Sequence, residues 1–391
     1  MRFLIINTDY GAFLRQLYSQ HSRLETAPYE EQMRARTGSL FGVADFYSRN
    51  LRRLGHEARE VYANNEFMQR AWARDHGLPV EESRPRERAT YRMLERARGV
   101  ASNTPLRFLK PVLGPLLHVL DSQQAWLYDI LSAQISHYRP DVLLNQNIGL
   151  ASRFFQEAKP YTRLLVGQHA SVMPKGQDLS VYDLMISSLP NLVDYFSRQG
   201  VTSELHRLGF EPAVLQRLGK VKESRLVSFV GSVFPAHASR RQWLEYVCQR
   251  TDVEVWGQVN GLPHDSPVAN CHKGPAWGLE MYRILRGSHM TLNHHIDVAE
   301  NYANNMRLFE ATGVGTLLIT DWKENLHEMF DPGSEVVAYR SPQECVELIE
   351  HYANHDHERE AIAHRGQQRT LRHHTYYERM QELVDIVGRH L

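Results

Sequence analysis

A loop that leads into a short predicted helix carries the residue types that nucleotide binding requires. Asn304 and Asn305 precede a helix expected from about Met306 to Thr312. The first backbone N–H groups of a helix have no partner within it, and the helix dipole places partial positive charge at that end. Such an end is suited to a diphosphate. Glu310 follows one helical turn later, where its carboxylate can accept hydrogen bonds from the two hydroxyls of a ribose.

Glu310 also has a simpler interpretation, in which it pairs with Arg307 on a solvated face of the helix. The surrounding sequence favours the binding interpretation, because the glutamate is followed by Ala-Thr-Gly-Val-Gly and then by an apolar strand that ends at Asp321. This arrangement places the carboxylate near the carboxyl edge of a parallel sheet, where α/β proteins bind ligands. The pattern indicates a nucleotide site within residues 301–321.

Two residues of the first half are candidates for acid–base chemistry on a second substrate. His169 is expected at the carboxyl end of a strand, facing the space between two domains. There it would orient or polarise an acceptor hydroxyl. The alternative is a core histidine with a satisfied hydrogen bond. Asp9 follows the first strand and is a second, weaker candidate for the base.

The elements that must position these residues follow an α/β pattern. Short apolar runs alternate with helical patterns, which is typical of parallel sheets covered by helices. The strands predicted in the first half are Phe3–Asn7, Ala58–Tyr62, Val142–Asn145, Leu164–Gly167, Leu184–Ser187 and Glu204–Leu208. Those predicted in the second half are Leu226–Val230, Val253–Trp256, Met290–Asn293, Gly315–Thr320 and Glu335–Ala338.

Several helix boundaries are predicted from capping residues. A helix over Asp45–Leu54 should end at Gly55, and Asn191 should cap a helix that runs to Gln199 before Gly200. In the second half, helices are expected over residues 341–353, 357–373 and 376–387.

The chain length and the two strand series predict two Rossmann-like domains that face each other across a cleft. Residues 1–215 form the first domain, with a helical insertion at about 65–138. Residues 222–375 form the second domain, and residues 376–391 form a last helix that can cross back to the first.

Composition narrows the class of partner. Lys+Arg and Asp+Glu both number 45, so no overall field attracts nucleic acid or an anionic membrane. The apolar run at the N-terminus is too short for a signal peptide, and no stretch is apolar enough to span a bilayer. Three separated cysteines suggest reduced thiols in the cytoplasm. The oligomeric state is not indicated.

Metal-binding patterns are weak. His294-His295-x-Asp297 and His351-x3-His355-x-His357 contain possible ligands, but neither has a convincing second half. The second pattern lies on a probable polar helix surface. No Asp-x-Asp motif is present, so neither a metal nor another cofactor is expected.

The segment from about Leu226 to Tyr377 resembles the C-terminal domain of GT-B glycosyltransferases, particularly the branch similar to the spore-maturation protein CgeB. The resemblance rests on V-S-F-V-G-S (227–232), G-P-A-W-G-L-E-M-Y-R (274–283), N-H-H (293–295), N-M-R-L-F-E-A (305–311) and D-P-G-S-E-V-V-A-Y (331–339). In the first domain it rests on the weaker motifs G-Q-H-A-S (167–171) and Y-D-L-M-I-S-S-L-P (182–190).

The resemblance implies roles for single residues. It implies that Glu310 holds the ribose, and that the backbone from Asn304 to Met306 cradles the diphosphate. Donor-binding positions are also implied at Ser232, Arg240, Arg241, Trp277 and Arg307. Trp277 can stack on the base or pack in the core, and one of the two consecutive arginines is expected to be idle.

Two departures from the wider family stand out. Related retaining transferases often carry a second glutamate eight residues before the ribose-binding one, but that position is Tyr302 here, and the nearest upstream glutamate is Glu300. The glycine-rich loop after the first strand is reduced to Asp9-Tyr10-Gly11, so Gly11 is a single candidate donor contact.

The resemblance implies a metal-independent and retaining glycosyltransferase. Its donor would be a nucleoside-diphosphate-sugar, and its acceptor a hydroxyl of a glycan, a protein or a small molecule, in bacterial glycan or glycoprotein biosynthesis. Two alternatives remain open. The same fold serves nucleotide-sugar epimerases and hydrolases, and the missing first glutamate is compatible with a catalytically silent nucleotide-binding subunit.

Overall fold

The computed structural model describes residues 1–79, 125–234, 238–259, 261–263 and 265–391, and these form two six-stranded parallel sheets. The middle of the helical insertion, residues 80–124, lies outside the described residues. The predicted α/β class with two Rossmann-like sheets is confirmed. The predicted domain limits of 1–215, 222–375 and 376–391 stay predictions.

The first sheet has the order β2-β1-β3-β4-β5-β6, and every neighbouring pair is parallel. Its strands are β1 (Arg2–Asn7), β2 (Glu57–Tyr62), β3 (Val142–Asn145), β4 (Leu164–Gln168), β5 (Leu184–Ser187) and β6 (Ser203–Leu205). The central strands are buried along almost their whole length because helices cover both faces. The apolar runs in the sequence therefore located all six strands.

Helices connect these strands in the order expected of a right-handed α/β sheet. They are α1 (Gly11–Gln20), α2 (Tyr29–Gly38), α3 (Phe46–Arg53), α4 (Glu66–Asp75), α5 (Ala125–Tyr138), α6 (Ser152–Ala158), α7 (Pro190–Arg198) and α8 (Ala213–Leu218). Gly55 follows α3 with φ +86°, a left-handed conformation that favours glycine, as predicted. The ends of the insertion, α4 and α5, are helical as expected.

The predicted cap at Asn191 is wrong. Leu189 occupies the N-cap position of α7, and Pro190 is its first residue, where a missing N–H costs nothing. Asn191 instead donates from Nδ2 to the carbonyl of Val298 at 3.0 Å. The amide was therefore used for a contact between the two halves of the chain rather than for the helix.

The second sheet has the order β12-β11-β10-β7-β8-β9 and is also parallel throughout. Its strands are β7 (Arg225–Val230), β8 (Glu254–Trp256), β9 (His272–Gly274), β10 (Ser288–Asn293), β11 (Leu317–Asp321) and β12 (Val337–Tyr339). The edge strand β9 was not predicted. Its sequence, His-Lys-Gly, has no apolar run, because an exposed edge strand has little to bury.

The helices of the second half are α9 (Ala238–Cys248), α10 (Pro267–Cys271), α11 (Leu279–Arg286), α12 (Met306–Gly313), α13 (Pro342–Asn354), α14 (Asp356–His373) and α15 (Tyr376–Gly388). Ser341 caps α13 through a bond from the amide of Glu344, and Thr375 with Glu378 forms a capping box at α15. Among the described residues, no helix is long and apolar enough to cross a membrane.

The two halves of the chain are joined by two crossings that lie side by side. Phe210 N donates to His374 O at 2.8 Å, and Tyr376 N donates to Phe210 O at 2.9 Å. Helix α15 then packs on α3 of the first domain, with Tyr376 against Phe46 and Tyr47. The last helix thus returns to the first sheet.

A third contact fixes the second domain against the first at a glycine. The amide of Leu279 donates to Ser39 O at 2.9 Å, and Gly278 has φ +52°. A Cβ added at Gly278 would lie 2.0 Å from Ser39 O. Only glycine permits this close approach, which explains its place before α11.

Candidate functional site

Three strand ends of the second sheet and the start of α12 meet at one edge. Because β7, β10 and β11 are parallel neighbours, their carboxyl ends lie together. β10 ends at Asn293 and β11 ends at Asp321, and both residues are buried. We call this region, with the loop 294–305 and the first turn of α12, the donor edge.

The amino end of α12 is open, as the sequence predicted. Asn305 is the N-cap residue, but its side chain makes no capping hydrogen bond. Its Nδ2 instead donates to Asn293 Oδ1 at 2.6 Å, and its own Oδ1 is buried without a partner. The backbone amides of Asn305, Met306 and Arg307 donate no hydrogen bond to any described residue. Three aligned donors are therefore available at the positive end of the helix.

Arg307 and Glu310 form an ion pair, but the pair is not on a solvated face. Arg307 Nη1 lies 2.9 Å from Glu310 Oε2, and the two side chains are only 12% and 6% exposed. Nη1 of Arg307 makes this ion-pair contact without hydrogen-bond geometry, and Nε is buried with no partner among the described residues. Buried donors of this kind cost free energy unless something accepts from them. The pair is therefore incomplete.

Burial also sets the protonation behaviour of Glu310. Removal from water raises the pKa of Glu310 above its ordinary value, while the charge of Arg307 and the hydroxyl of Tyr282 act in the opposite direction. A buried carboxyl whose pKa is raised by desolvation, next to a charged partner, is a candidate for a functional site. Its position, one turn after the free amides, is the one predicted for a ribose contact.

Of the two consecutive arginines, only Arg240 reaches the donor edge. Its Nε and Nη2 donate to His294 O at 3.0 and 2.6 Å, and its Nη1 donates to Ser232 O at 3.2 Å. A guanidinium has five N–H donors, so donors remain for a ligand. Burial lowers the pKa of Arg240 to about 10, which leaves it a cation at neutral pH. Arg241 pairs with Glu245 on the surface of α9 instead.

His295 and Asp321 form a contact that sequence reasoning missed. His295 Nδ1 lies 2.7 Å from Asp321 Oδ1, and the backbone amide of His295 also donates to this carboxylate, at 3.1 and 3.2 Å. On the other side of the ring, the amide of Asn304 donates to Nε2 at 3.3 Å. A histidine and an aspartate at the ends of neighbouring predicted strands were the available signal.

The ring of His294 is part of a stack beneath the donor edge. It lies against Trp243 at 4.8 Å, and Trp243 lies against Tyr339 at 5.6 Å, with nearly parallel planes. Tyr339 donates to Asn293 O, and His294 Nδ1 bonds the same hydroxyl at 2.9 Å. Burial lowers the pKa of His294 to about 4. The stack therefore supports the end of β10 with a neutral imidazole.

Trp277 takes the second of its two predicted interpretations. Its ring packs edge-on against Phe41 at 5.0 Å and also contacts Phe13 and Tyr10, all from the first domain. The ring therefore packs between the domains, and the predicted contact with the base stays a prediction. The sequence could not decide between base contact and core packing, because none of these three neighbours is close to Trp277 in the chain.

His169 follows β4 at the carboxyl edge of the first sheet, as predicted. Its amide donates to Ile186 O at 3.1 Å, and its Nε2 is buried without a partner among the described residues. Burial lowers the pKa of His169, although backbone groups of Val172 and Ser171 partly offset the effect. One ring nitrogen of His169 is therefore unsatisfied, and its role toward an acceptor stays a prediction.

Asp9 is placed in a different setting from the one expected of a base. Both of its carboxylate oxygens accept from Arg36, at 2.8 Å from Nε and 2.6 Å from Nη2. The pair is almost fully buried. Because both carboxylate oxygens already accept from the guanidinium, this geometry favours a structural role for Asp9. Gly11, at the exposed start of α1, follows directly.

The cavities found elsewhere do not coincide with this edge. One of about 330 Å³ is lined by Glu204, Arg207 and Glu382 among others, and one of about 220 Å³ by Arg286 and His289 among others. Neither is lined by a donor-edge residue. The site is therefore recognised from its unpaired polar groups rather than from an enclosed volume.

Metal-ligating residues do not cluster in the described part of the chain, where no group of three or more His, Cys, Asp or Glu is placed to hold an ion. His351 bonds Glu358 at 2.9 Å on an exposed face, in keeping with the predicted polar surface. The three cysteines are free thiols.

Comparison with known proteins gives a family match in the second half of the chain and structural matches over the whole fold. Residues 239–385 match a family described as glycosyl transferase-like. No curated protein matches the sequence. Among solved structures, HepE of Anabaena in complex with UDP-glucose is 12% identical, with a TM-score of 0.57 and full coverage of both chains.

Two further structures are similar over their whole length. Sucrose-phosphate synthase of Thermosynechococcus elongatus is 10% identical with a TM-score of 0.54, covering 100% of this chain and 99% of that chain. AviGT4, a glycosyltransferase involved in avilamycin A biosynthesis, is 13% identical with a TM-score of 0.52, covering 100% of this chain and 97% of that chain. The chain therefore has the GT-B fold, its second half is glycosyl transferase-like, and the prediction of a glycosyltransferase-type enzyme is confirmed at that level.

Proposed function

We propose that this protein transfers a sugar from a nucleoside-diphosphate-sugar, with UDP as the nucleotide, to an acceptor hydroxyl. The observation that carries the proposal is the incomplete donor edge: three free backbone amides at the start of α12 lie beside a buried arginine with unsatisfied donors. The motif N-M-R-L-F-E-A that forms this edge also supports a place in the CgeB-like branch.

The diphosphate would lie against the amino end of α12. The amides of Asn305, Met306 and Arg307 would donate to its oxygens, and the guanidinium groups of Arg240 and Arg307 would offset its charge. These fixed positive groups supply the stabilisation of a leaving diphosphate that a metal supplies in other enzymes. This is the basis for proposing a metal-independent reaction.

The nucleoside would follow along α12. Glu310 lies one turn beyond the amides, where its carboxylate can accept from the ribose hydroxyls. A ribose hydroxyl would then take the place beside Glu310 that Arg307 partly fills, and Arg307 would turn its free donors to the phosphate. The complexes of HepE with UDP and UDP-glucose support the choice of UDP as the first nucleotide to test.

The acceptor would bind on the first domain, opposite the donor. His169 has a buried Nε2 without a partner and a pKa lowered by burial, so its neutral form can accept a hydrogen bond from an acceptor hydroxyl. Gly11 at the start of α1 would allow close approach to the transferred sugar. As the acceptor oxygen bonds to the anomeric carbon and the bond to the diphosphate breaks, an oxygen of the leaving diphosphate would take the hydroxyl proton on the same face, which retains the configuration.

Calorimetry with UDP tests the donor half of the proposal. We expect the wild-type protein to bind UDP and Glu310→Gln to bind about 10- to 100-fold more weakly, because hydrogen bonds to a charged group are worth about 1.5–3 kcal/mol. The matched control is Glu280→Gln, which removes an exposed glutamate of an ion pair with Arg283. Unchanged affinity in Glu310→Gln would remove Glu310 from the site.

Product analysis tests the chemistry. With a UDP-sugar and a panel of acceptors, we expect transfer that persists in EDTA and a product whose anomeric configuration matches the donor. His169→Ala should retain UDP affinity and lose about 100-fold in turnover, the contribution usual for a general acid or base. Free sugar or an epimer without any transfer would favour a hydrolase or epimerase, and binding without turnover would favour a silent subunit.

A further inference from the structure

We infer that His295 and Asp321 are positioning residues, which hold the backbone of the loop before α12 so that its next amides face the diphosphate. The inference rests on the proposed donor site and adds to it two residues that do not touch the ligand. It starts from the hydrogen bonds of the His295 ring, whose side chain is fully buried.

The hydrogen bonds fix which ring nitrogen carries the proton. A backbone amide can only donate, so Nε2 of His295 must accept from Asn304 N and carries no proton. In the neutral ring the proton is then on Nδ1, which donates to Asp321 Oδ1 at 2.7 Å. Both ring nitrogens are used. His295 therefore has no lone pair left for a substrate proton or a metal ion.

Asp321 is the anchor of this arrangement. Its carboxylate accepts from the ring and from the backbone amide of His295, and Thr320 and Lys323 lie at 3.3 and 3.4 Å. Burial acts to raise the pKa of Asp321, but the contacts with His295 and the ammonium of Lys323 outweigh it and hold the pKa well below its ordinary value. The carboxylate is therefore ionised across the working range of pH, and the orientation of the His295 ring is fixed.

These hydrogen bonds orient the backbone amides of the loop before α12. With Asn304 N turned inward to His295, and the Asn305 side chain held by Asn293, the following three amides have no partner among the described residues. Asn304 also donates from Nδ2 to Ser188 of the first domain at 3.1 Å. Fixing such donors in advance spares the ligand the cost of ordering them.

The same contacts replace the metal interpretation of His294-His295-x-Asp297. Asp297 is exposed and bonds Ser239 Oγ, whereas His295 bonds Asp321 on the next strand. Asp297 and His295 are therefore not paired as ligands of one ion. The two histidines thus serve different purposes: His294 stacks on Trp243, and His295 links β11 to the loop.

Two substitutions of His295 separate its two hydrogen bonds. In His295→Asn the amide nitrogen can replace Nδ1 toward Asp321, but nothing replaces Nε2. In His295→Gln the side-chain oxygen can replace Nε2 toward Asn304, but the donor to Asp321 is lost. We expect UDP affinity measured by calorimetry to fall about 10-fold in His295→Asn and to stay within about 3-fold of wild type in His295→Gln, although both lower the melting temperature.

The control for general destabilisation is His206→Asn, at another buried histidine whose Nε2 bonds a backbone carbonyl, that of Arg379. It should lower the melting temperature and leave UDP affinity unchanged. Equal losses of UDP affinity in His295→Asn and His295→Gln, or no loss in either, would overturn the inference while wild type still bound UDP. Absence of UDP binding by wild type would instead count against the proposed donor site.

A spectroscopic measurement tests the protonation of the His295 ring in the wild-type protein directly. In histidine-labelled wild-type protein, nitrogen NMR should show the His295 resonance, assigned by its absence from His295→Gln, with Nδ1 protonated and Nε2 bare. A proton on Nε2 in the neutral ring would contradict the acceptor role toward Asn304 and the inference with it.

Discussion

Two buried arginine–carboxylate pairs in the described part of the chain differ in one respect. In the first domain Arg36 donates to both oxygens of Asp9, and its remaining Nη1 donates to Phe41 O at 3.2 Å. In the second domain Arg307 lies 2.9 Å from one oxygen of Glu310, while its Nε and Nη1 make no hydrogen bond in the described part of the chain. One pair is complete, and the other is not.

The difference separates a structural pair from a binding pair. Burying two charges is costly, and a pair is stable only when its remaining donors and acceptors are satisfied. Arg36 meets that condition within the protein and also lies over the Tyr62 ring at 4.2 Å. Arg307 does not, so the missing acceptors are expected from a ligand. Both carboxylates were candidates from sequence, and only hydrogen-bond completeness distinguishes them.

The largest expected effect is on the complete pair. Asp9→Asn leaves the buried guanidinium of Arg36 without its counter-charge, and we expect the free energy of unfolding of the first domain to fall by about 3–5 kcal/mol. Denaturant unfolding with and without UDP measures this. The loss should be the same in both conditions, because Asp9 is not expected to contact the nucleotide.

Glu310→Gln is the matched variant for that comparison. Without UDP, its loss in free energy of unfolding should be smaller than that of Asp9→Asn. The loss should grow when UDP is added, since the stabilisation by a ligand depends on its affinity. A UDP-dependent loss in Asp9→Asn, or a UDP-independent one in Glu310→Gln, would reverse the assignment of the two pairs.

A buried carboxyl next to the complete pair offers a test by pH. Burial raises the pKa of Glu60 from its ordinary value of 4.5 to about 8, against hydrogen bonds from Ser48 and Asn7. Between these values the folded state holds a proton that the unfolded state has released. Stability should therefore fall, by a few kcal/mol, as pH rises from about 5 to 8, since each pKa unit is worth about 1.4 kcal/mol.

Glu60→Gln removes the titrating group and should flatten that part of the pH dependence. The free energy of unfolding of both proteins, measured at pH 5 and pH 8, gives the comparison. An unchanged slope in the variant would assign the pH dependence to other groups.

The consecutive arginines give a smaller effect on binding. Arg240 is buried against His294 O and Ser232 O with donors to spare, whereas Arg241 pairs with Glu245 at the surface. Arg240→Met should raise the Kd for UDP about 10-fold, and Arg241→Met should change it little, because exposed ion pairs contribute only about 0–1 kcal/mol. Equal effects of the two substitutions on the Kd for UDP, in the same calorimetric assay, would show that Arg240 has no special role in nucleotide binding.

The fold was accessible from sequence because buried parallel strands are continuous apolar runs, as β3 and β11 show. The open helix start was accessible because it depends on residues adjacent in the chain. Contacts between distant residues were not accessible. The pairing of His295 with Asp321 depends on which strands become neighbours, and that of Asp9 with Arg36 depends on where α2 packs relative to the end of β1. Trp277 was ambiguous for the same reason, since its partners come from the first domain.

The smallest expected effect is at the contact between the two sheets' carboxyl edges. Ser188 Oγ, after β5, accepts from Asn304 Nδ2 at 3.1 Å and thereby connects the first domain to the loop of the incomplete pair. Ser188→Ala removes one neutral hydrogen bond, worth about 0.5–1.5 kcal/mol. We expect the Kd for UDP to rise by about 2- to 5-fold while the unfolding of the first domain is unchanged. Ser187→Ala is a neighbouring control, because Ser187 Oγ accepts only from the amide of Leu189. If Ser188→Ala and Ser187→Ala had the same effect on UDP affinity, the contact between the domains would not contribute to nucleotide binding, and the donor edge would be complete within the second domain.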